Sequence, residues 1–182
     1  MPPVRRIPAK IRDKARKIKL LLLDVDGVLT DGGIVMDIRG EEIKRFDVRD
    51  EHGIRMLQRA GIRAAFITGR KSQVVRHRAR DLGIKLVYQR AYDKLEVYEQ
   101  IKRRIRLADQ QIGYVGDDIV DLPVLRRVGL AMTVQDCWPP LYDEVDYVAT
   151  RSGGAGAVRE IVELLLKAQG KWEEAIRKYY RS

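Results

Sequence analysis

The chain has 182 residues, 45% hydrophobic and 34% charged, proportions that fit one globular domain with a sizeable core and exclude a disordered chain. Lysine and arginine total 36 against 26 acids, a formal charge of +10 that attracts anions without choosing between nucleic acid, acidic head groups and phosphorylated metabolites. No apolar stretch is long enough to span a bilayer, and the basic start has no apolar core behind it to read as a signal peptide. The single cysteine, Cys137, excludes an internal disulfide and fits a reducing cytoplasm.

Residues 1–17 form a basic arm; the first 19 residues carry eight basic side chains and one acid. Beyond it, apolar runs alternate with helical patterns. Strands are predicted at 18–23, 62–67, 84–88, 112–115, 129–133 and 145–149, and helices at 51–60, 71–82, 93–107, 118–127 and 156–168. Strand then helix, repeated, predicts an α/β fold whose mostly parallel sheet is covered on both faces. Residues 33–48 break the rhythm. Ile34, Val35, Met36 and Ile38 precede Arg39-Gly40, and Ile43, Phe46 and Val48 follow, the pattern of a β-hairpin projecting after the first strand. Residues 169–182 read as an appended tail on a domain spanning 18–168.

The chemistry-bearing residues sit just past predicted strands, where α/β sheets bind ligands. Leu20–Leu23 runs into Asp24-Val25-Asp26-Gly27. Two carboxylates one residue apart invite a cation between them, and with an acid/base partner they suit phosphoryl transfer through an aspartyl-phosphate. Thr68-Gly69-Arg70 offers a hydroxyl and a forked cation for phosphate or carboxylate; a helix cap is the alternative for Thr68. Asp93-Lys94 places an ammonium near a helix start, where a cap and a surface lysine are the plainer reading. Gly116-Asp117-Asp118 and Asp121 bring three carboxylates behind a glycine turn. Asp117 is the expected direct ligand of magnesium, and Asp118 and Asp121 support it from behind or through water; capping of the next helix is not exclusive of this. Asp47, Asp50 and His52 bracket the hairpin's exit, where they can reach the pocket. Neither His52 nor His77 is as well placed as Asp26 to act as base. Trp138, Trp172 and Cys137 read as packing or inert residues.

The order DxDGxxT, Thr-Gly-Arg, Lys, Gly-Asp-Asp, each motif behind a strand, resembles the haloacid dehalogenase superfamily of phosphatases. Within it, residues 18–175 are similar to the small, capless phosphatases of 3-deoxy-D-manno-octulosonate 8-phosphate (KDO 8-phosphate). The similarity is carried by DVDGVLTDG at 24–32, FDVRD at 46–50, ITGR at 67–70, YVGDD at 114–118, GGAGAVRE at 153–160 and LLLKAQG at 164–170. The resemblance implies a Rossmann-like three-layer core, a hairpin flap and no large cap domain. It implies Asp24 as nucleophile, Asp26 as acid and base, and Mg2+ held by Asp24, Asp117 and the main-chain carbonyl of Asp26. Thr68 and Lys94 would bind the phosphoryl group, and Arg70, Arg78 and Asp50 the sugar acid. It further implies a cytoplasmic homotetramer serving lipopolysaccharide synthesis, with a neighbour's C-terminal tail closing each site. Relatives acting on nine-carbon, sialic-acid-type 9-phosphates more often resemble Thr-Gly-Glu where this chain has Thr-Gly-Arg. Glu51 stands where the family often has glycine, and Ala155 where some relatives carry a basic residue. A nucleic-acid-binding module using the basic arm is the disfavoured alternative, since no aromatic residues interleave with those charges.

Overall fold

The computed structural model describes residues 7–180. Eight strands are present: β1 (Leu20–Leu23), β2 (Val35–Met36), β3 (Glu42–Ile43), β4 (Arg63–Ile67), β5 (Leu86–Tyr88), β6 (Ile112–Val115), β7 (Leu130–Thr133) and β8 (Tyr147–Val148). Six of them form one sheet in the order β5-β4-β1-β6-β7-β8, and every pairing in it is parallel. β1, β6 and β7 are buried along their whole length, which is why they read as unbroken apolar runs instead of alternating ones. The chain winds outward from β1 through β4 to β5, then returns to β6 on the other side. β1 therefore flanks the switch point, and the carboxyl ends of β1, β4 and β6 converge there.

Among the described residues seven α-helices accompany the sheet: α1 (Ala9–Ala15), α2 (Val48–Arg59), α3 (Gln73–Asp81), α4 (Lys94–Ile105), α5 (Leu122–Leu125), α6 (Ala157–Ala168) and α7 (Trp172–Arg177). Side-chain caps start three of them, with Asp47 accepting from Arg49 N–H, Ser72 from Val75 N–H and Asp93 from Glu96 N–H. α6 buries Val158, Ile161, Val162 and Leu165, which makes it the most apolar cover of the sheet.

Within the basic arm, α1 docks on the domain, with Ala15 buried, Lys14 Nζ 2.5 Å from Asp146 and Arg16 Nε donating to the Ala168 carbonyl. Gln169 closes this junction by donating to the Ala15 and Ile18 carbonyls. Residues 1–6 of the arm lie outside the described residues. The helix predicted at 118–127 shrinks to a 3-10 turn at Ile119–Asp121 followed by α5. Asp121 folds back onto the backbone N–H groups of Asp117 and Asp118, and Pro123 has no N–H to extend a helix through the segment. α2 begins three residues earlier than expected, because Asp47 caps it.

β2 and β3 pair antiparallel, Val35 opposite Ile43, as the projecting hairpin. Its apolar side chains face solvent: Ile34, Val35, Met36 and Ile43 are each more than half exposed, and Ile38 is fully so.

Candidate active site

Where β1 ends, the chain turns sharply around Gly27, whose φ is +89°. Thr30 holds this turn, its Oγ1 accepting from the N–H groups of Gly27 and Gly32. A Cβ on Gly27 would lie 2.0 Å from Asp117 Oδ2, so only glycine lets the loop after β1 meet the loop after β6. From the other side a Cβ on Gly153 would lie 1.8 Å from the Gly27 carbonyl oxygen, which explains the glycine pair before α6. These close approaches bring Asp24 and Asp117 together.

Asp24 is buried. Its Oδ1 accepts from Val25 N–H at 2.7 Å, and its Oδ2 lies 2.7 Å from Lys94 Nζ. Lys94, from the first turn of α4, also meets Asp121 Oδ1 at 2.5 Å. Asp121 is completely buried and completely used: Oδ1 accepts from Lys94 and the Tyr114 hydroxyl, Oδ2 from the N–H groups of Asp117 and Asp118. Burial alone would push Lys94 down, but the carboxylates of Asp24 and Asp121 outweigh it and hold its pKa above the usual value. Burial, followed by the charge of Asp121, raises Asp24 to about 7 against the pull of Lys94. Asp117 rises to about 8 through burial and then the charges of Asp24 and Asp121.

Two carboxylates pushed up in this way indicate a site short of positive charge. Asp117 Oδ1 is buried without a hydrogen-bond partner, and Asp24, Asp117 and Asp121 each offer an oxygen within 4.8 Å of the others. Because Asp121 is already saturated, Asp24 and Asp117 are the pair with capacity for a cation. An all-oxygen donor set with few protein ligands suits magnesium, which keeps several waters.

Thr68 follows β4 and is buried; its Oγ1 accepts from the backbone N–H of Arg70, which leaves its own proton for an outside acceptor. It does not cap α3, a role taken by Ser72. Asp26 is half-buried and turned toward the hairpin, where it pairs with Lys44. The Lys44 side chain is only 1% exposed and also lies 3.0 Å from Glu42. Arg70 closes the group, Nη2 at 3.3 Å from Glu42 Oε1 and Nε at 4.0 Å from Asp26 Oδ2. Burial pushes Glu42 up, but bonds from Ser72 and Lys44 and the nearby cations hold it below its ordinary range.

No family model matches this chain. It is 47% identical over 169 residues, 93% of its length and 90% of the relative's, to the 3-deoxy-D-manno-octulosonate 8-phosphate phosphatase of Escherichia coli K12. The chain belongs to the 3-deoxy-D-manno-octulosonate 8-phosphate phosphatase family. Solved structures agree. The Yersinia pestis phosphatase of that name superposes with a TM-score of 0.90 at 43% identity, covering 92% of this chain and 90% of that one. The Moraxella catarrhalis phosphatase, solved with magnesium, phosphate and KDO, superposes at 0.91 and 39% identity, covering 93% and 98%. The fold is thus the capless α/β core of the haloacid dehalogenase superfamily, as the motif order implied.

The structure brings Asp24, Asp26, Thr68, Arg70, Lys94 and Asp117 of the family's motifs to one end of the sheet, with Asp121 supporting them from beneath. Three expected residues are engaged by other groups of the chain. Asp50 is buried, and its carboxylate accepts from the N–H groups of Gly156 and Arg159, tying α2 to the start of α6, which has no cap of its own. Asp118 is exposed and accepts from Ile119 N–H as a cap. Arg78 is engaged by Glu51, Nε to Oε1 at 3.0 Å, and its guanidinium lies over the Phe46 ring. The glycine-to-glutamate departure at 51 thus supplies the partner of that arginine. His52 meets Arg159 of α6 and Tyr179 of the tail, and Asp47 caps α2 and pairs with Arg49. Two residues that the motif reading missed, Glu42 and Lys44, come from the hairpin. Only their alternation with exposed Ile43 marked them as facing the opposite side.

Proposed function

We propose that this protein hydrolyses KDO 8-phosphate to KDO and inorganic phosphate through a phosphorylated Asp24. The observation that carries the reading is the buried Asp24–Lys94 pair beside the partnerless oxygen of Asp117, in a chain 47% identical to a phosphatase of that substrate. Asp24 attacks phosphorus in line, forming its acyl-phosphate bond as the bond from phosphorus to the sugar oxygen breaks. Asp26 gives its proton to that departing oxygen, then takes one from the water that attacks the phosphoryl-aspartate, releasing phosphate and restoring Asp24. Thr68 Oγ1 and Lys94 Nζ hold phosphoryl oxygens, and Lys94 offsets the charge that repels an incoming phosphate from Asp24. Magnesium, held by Asp24, Asp117 and the Asp26 main-chain carbonyl, supplies further charge stabilisation at the phosphoryl group. Arg70, at the rim, takes the sugar-acid carboxylate. Among the described residues no helix is long and apolar enough to cross a membrane, and we place the reaction in the cytoplasm, in the supply of lipopolysaccharide precursors.

Phosphate release from KDO 8-phosphate, a nine-carbon sugar-acid 9-phosphate and simple sugar phosphates, with and without magnesium, tests this reading. Strong magnesium-dependent preference for KDO 8-phosphate is expected. Equal turnover of the others would remove the substrate assignment, and no release from any would remove the phosphatase.

The working form is a homotetramer in this proposal. The exposed apolar side chains of the hairpin form a patch of the kind that marks a protein contact. The tail, 169–182, of which 181–182 lie outside the described residues, closes a neighbour's site. Within one chain, Lys171 donates to the Ala60 carbonyl and Tyr179 meets His52, so the segment climbs α2 toward the pole that holds Asp24. A cleft of about 430 Å3 lies between α2 and α7. Truncation after Gly170 should cut activity about tenfold or more while moving the melting midpoint little, a loss of the size that attends misplaced binding contacts. Unchanged kinetics in a truncated tetramer would show that the tail has no part in closure.

A further inference from the structure

The arginine that the proposed function assigns to the substrate's carboxylate is already touching a carboxylate of the protein. Glu42 Oε1 lies 3.3 Å from Arg70 Nη2, while Arg70 Nε is buried without a hydrogen-bond partner. A guanidinium edge matches a carboxylate with two parallel bonds, Nε and Nη2 together. Here one of the two donors is filled, by a single contact at the long end of hydrogen-bond range, and the other is empty. Asp26 Oδ2, at 4.0 Å from Nε, is too distant to fill it and is itself partnerless. Glu42 does not depend on Arg70 for its charge balance, because Lys44 Nζ holds the same Oε1 at 3.0 Å. It can release the arginine and stay paired.

We propose that Glu42 is an internal competitor for the substrate's carboxylate, occupying Arg70 until a ligand able to take Nε and Nη2 together displaces it. The proposal rests on the reading of Arg70 given above and adds a selection step to it. A phosphate ester with a carboxylate exchanges one long contact for a two-pronged one and satisfies the empty Nε. An ester without a carboxylate leaves the Glu42–Arg70 pair in place and draws no binding energy from the arginine. Glu42 is therefore a specificity residue contributed by the hairpin, and it makes no contact with the phosphoryl group.

The test is steady-state kinetics of Glu42→Gln and Glu42→Ala with KDO 8-phosphate and with D-arabinose 5-phosphate, which has no carboxylate. Arg70→Ala is measured in parallel, and melting midpoints check each variant's fold. Removing the competitor should lower KM for KDO 8-phosphate about three- to tenfold, the net worth of one ordinary hydrogen bond. KM for D-arabinose 5-phosphate should not follow, and inhibition by the product KDO should tighten by the same factor. In the Arg70→Ala background, Glu42→Gln should have no further effect on KM. A higher KM for KDO 8-phosphate in both Glu42 variants would make Glu42 a direct substrate ligand and overturn the proposal. So would an equal fall for both substrates, which would be a general charge effect, or no change in either. If Arg70→Ala raises KM for KDO 8-phosphate alone while the Glu42 variants fail, only the competitor is lost. If Arg70→Ala does not discriminate between the two esters, the carboxylate site itself was misassigned.

Discussion

Asp24→Asn should lower phosphate release by about 10⁴-fold or more, the scale seen when a covalent nucleophile is removed, and should leave the fold intact. The amide keeps the shape of the carboxylate and can still accept from Val25 N–H, while Lys94 keeps its contact with Asp121. The same substitution should alter how stability responds to pH without metal. Burial and Asp121 raise Asp24 to about 7 in the folded protein, whereas an unfolded aspartate titrates near 3.9. Between those values the folded state keeps a proton that the unfolded chain has lost. Stability contributed by that group is present below about 4 and is lost as pH rises through about 7. Asparagine removes the titration, so in chelator the variant should gain on the wild type in melting midpoint from pH 5 to pH 8. Wild-type turnover in Asp24→Asn would exclude Asp24 as nucleophile; a constant stability gap would mean that Asp24 is not strained by its burial.

Lys94→Met should be the most destabilising single change in the site, by about 3–5 kcal/mol, the usual cost of leaving buried charge without its partner. The lysine ammonium is the shared cation of Asp24 and Asp121, both buried. Methionine fills the stem's volume but leaves Asp24 Oδ2 without a counter-charge, and Asp121 Oδ1 with only the Tyr114 hydroxyl. Turnover should fall at least about 10²-fold, since a cation aimed at the transferring phosphoryl group is also removed. Denaturant unfolding at two pH values checks the cause. Lys94→Met should lose less stability at pH 5 than at pH 8, because protonation of the orphaned Asp24 relieves it in acid. An equal loss at both would point to packing of the stem and not to charge.

Much of this site could be read before any coordinates because its parts are local. A buried parallel strand is a run of apolar residues, and the residues that follow it stand at the sheet's binding edge. Asp24, Thr68 and Asp117 each obey that rule, and Lys94 follows β5 at the head of α4. What escaped depended on contacts across the chain. Asp50 looks the same in sequence whether its carboxylate meets a sugar or the N–H groups of α6, and the uncapped Gly156 that decides the matter is 106 residues away. The docking of α1 depends on Asp146 and Gln169, and nothing in the arm's own composition encodes those partners. Glu42 was hidden in a two-residue strand and Lys44 just past its end, where the pattern shows only that they face opposite to Ile43. That face happens to be the roof of the site.

The hairpin has one more implication, for descent. The proposed nucleophile, phosphoryl clamp and cation ligands all follow strands of the central sheet or sit in the first turn of a helix packed on it, where a change of backbone would disturb the core. Glu42 and Lys44 hang from a short ribbon inserted between β1 and α2, outside that core. A mutation at Glu42 can alter which ester is welcome, whereas Lys44, paired with Asp26, ties the same ribbon to the reaction itself. A lineage built this way can explore new substrates while its chemistry stays inherited.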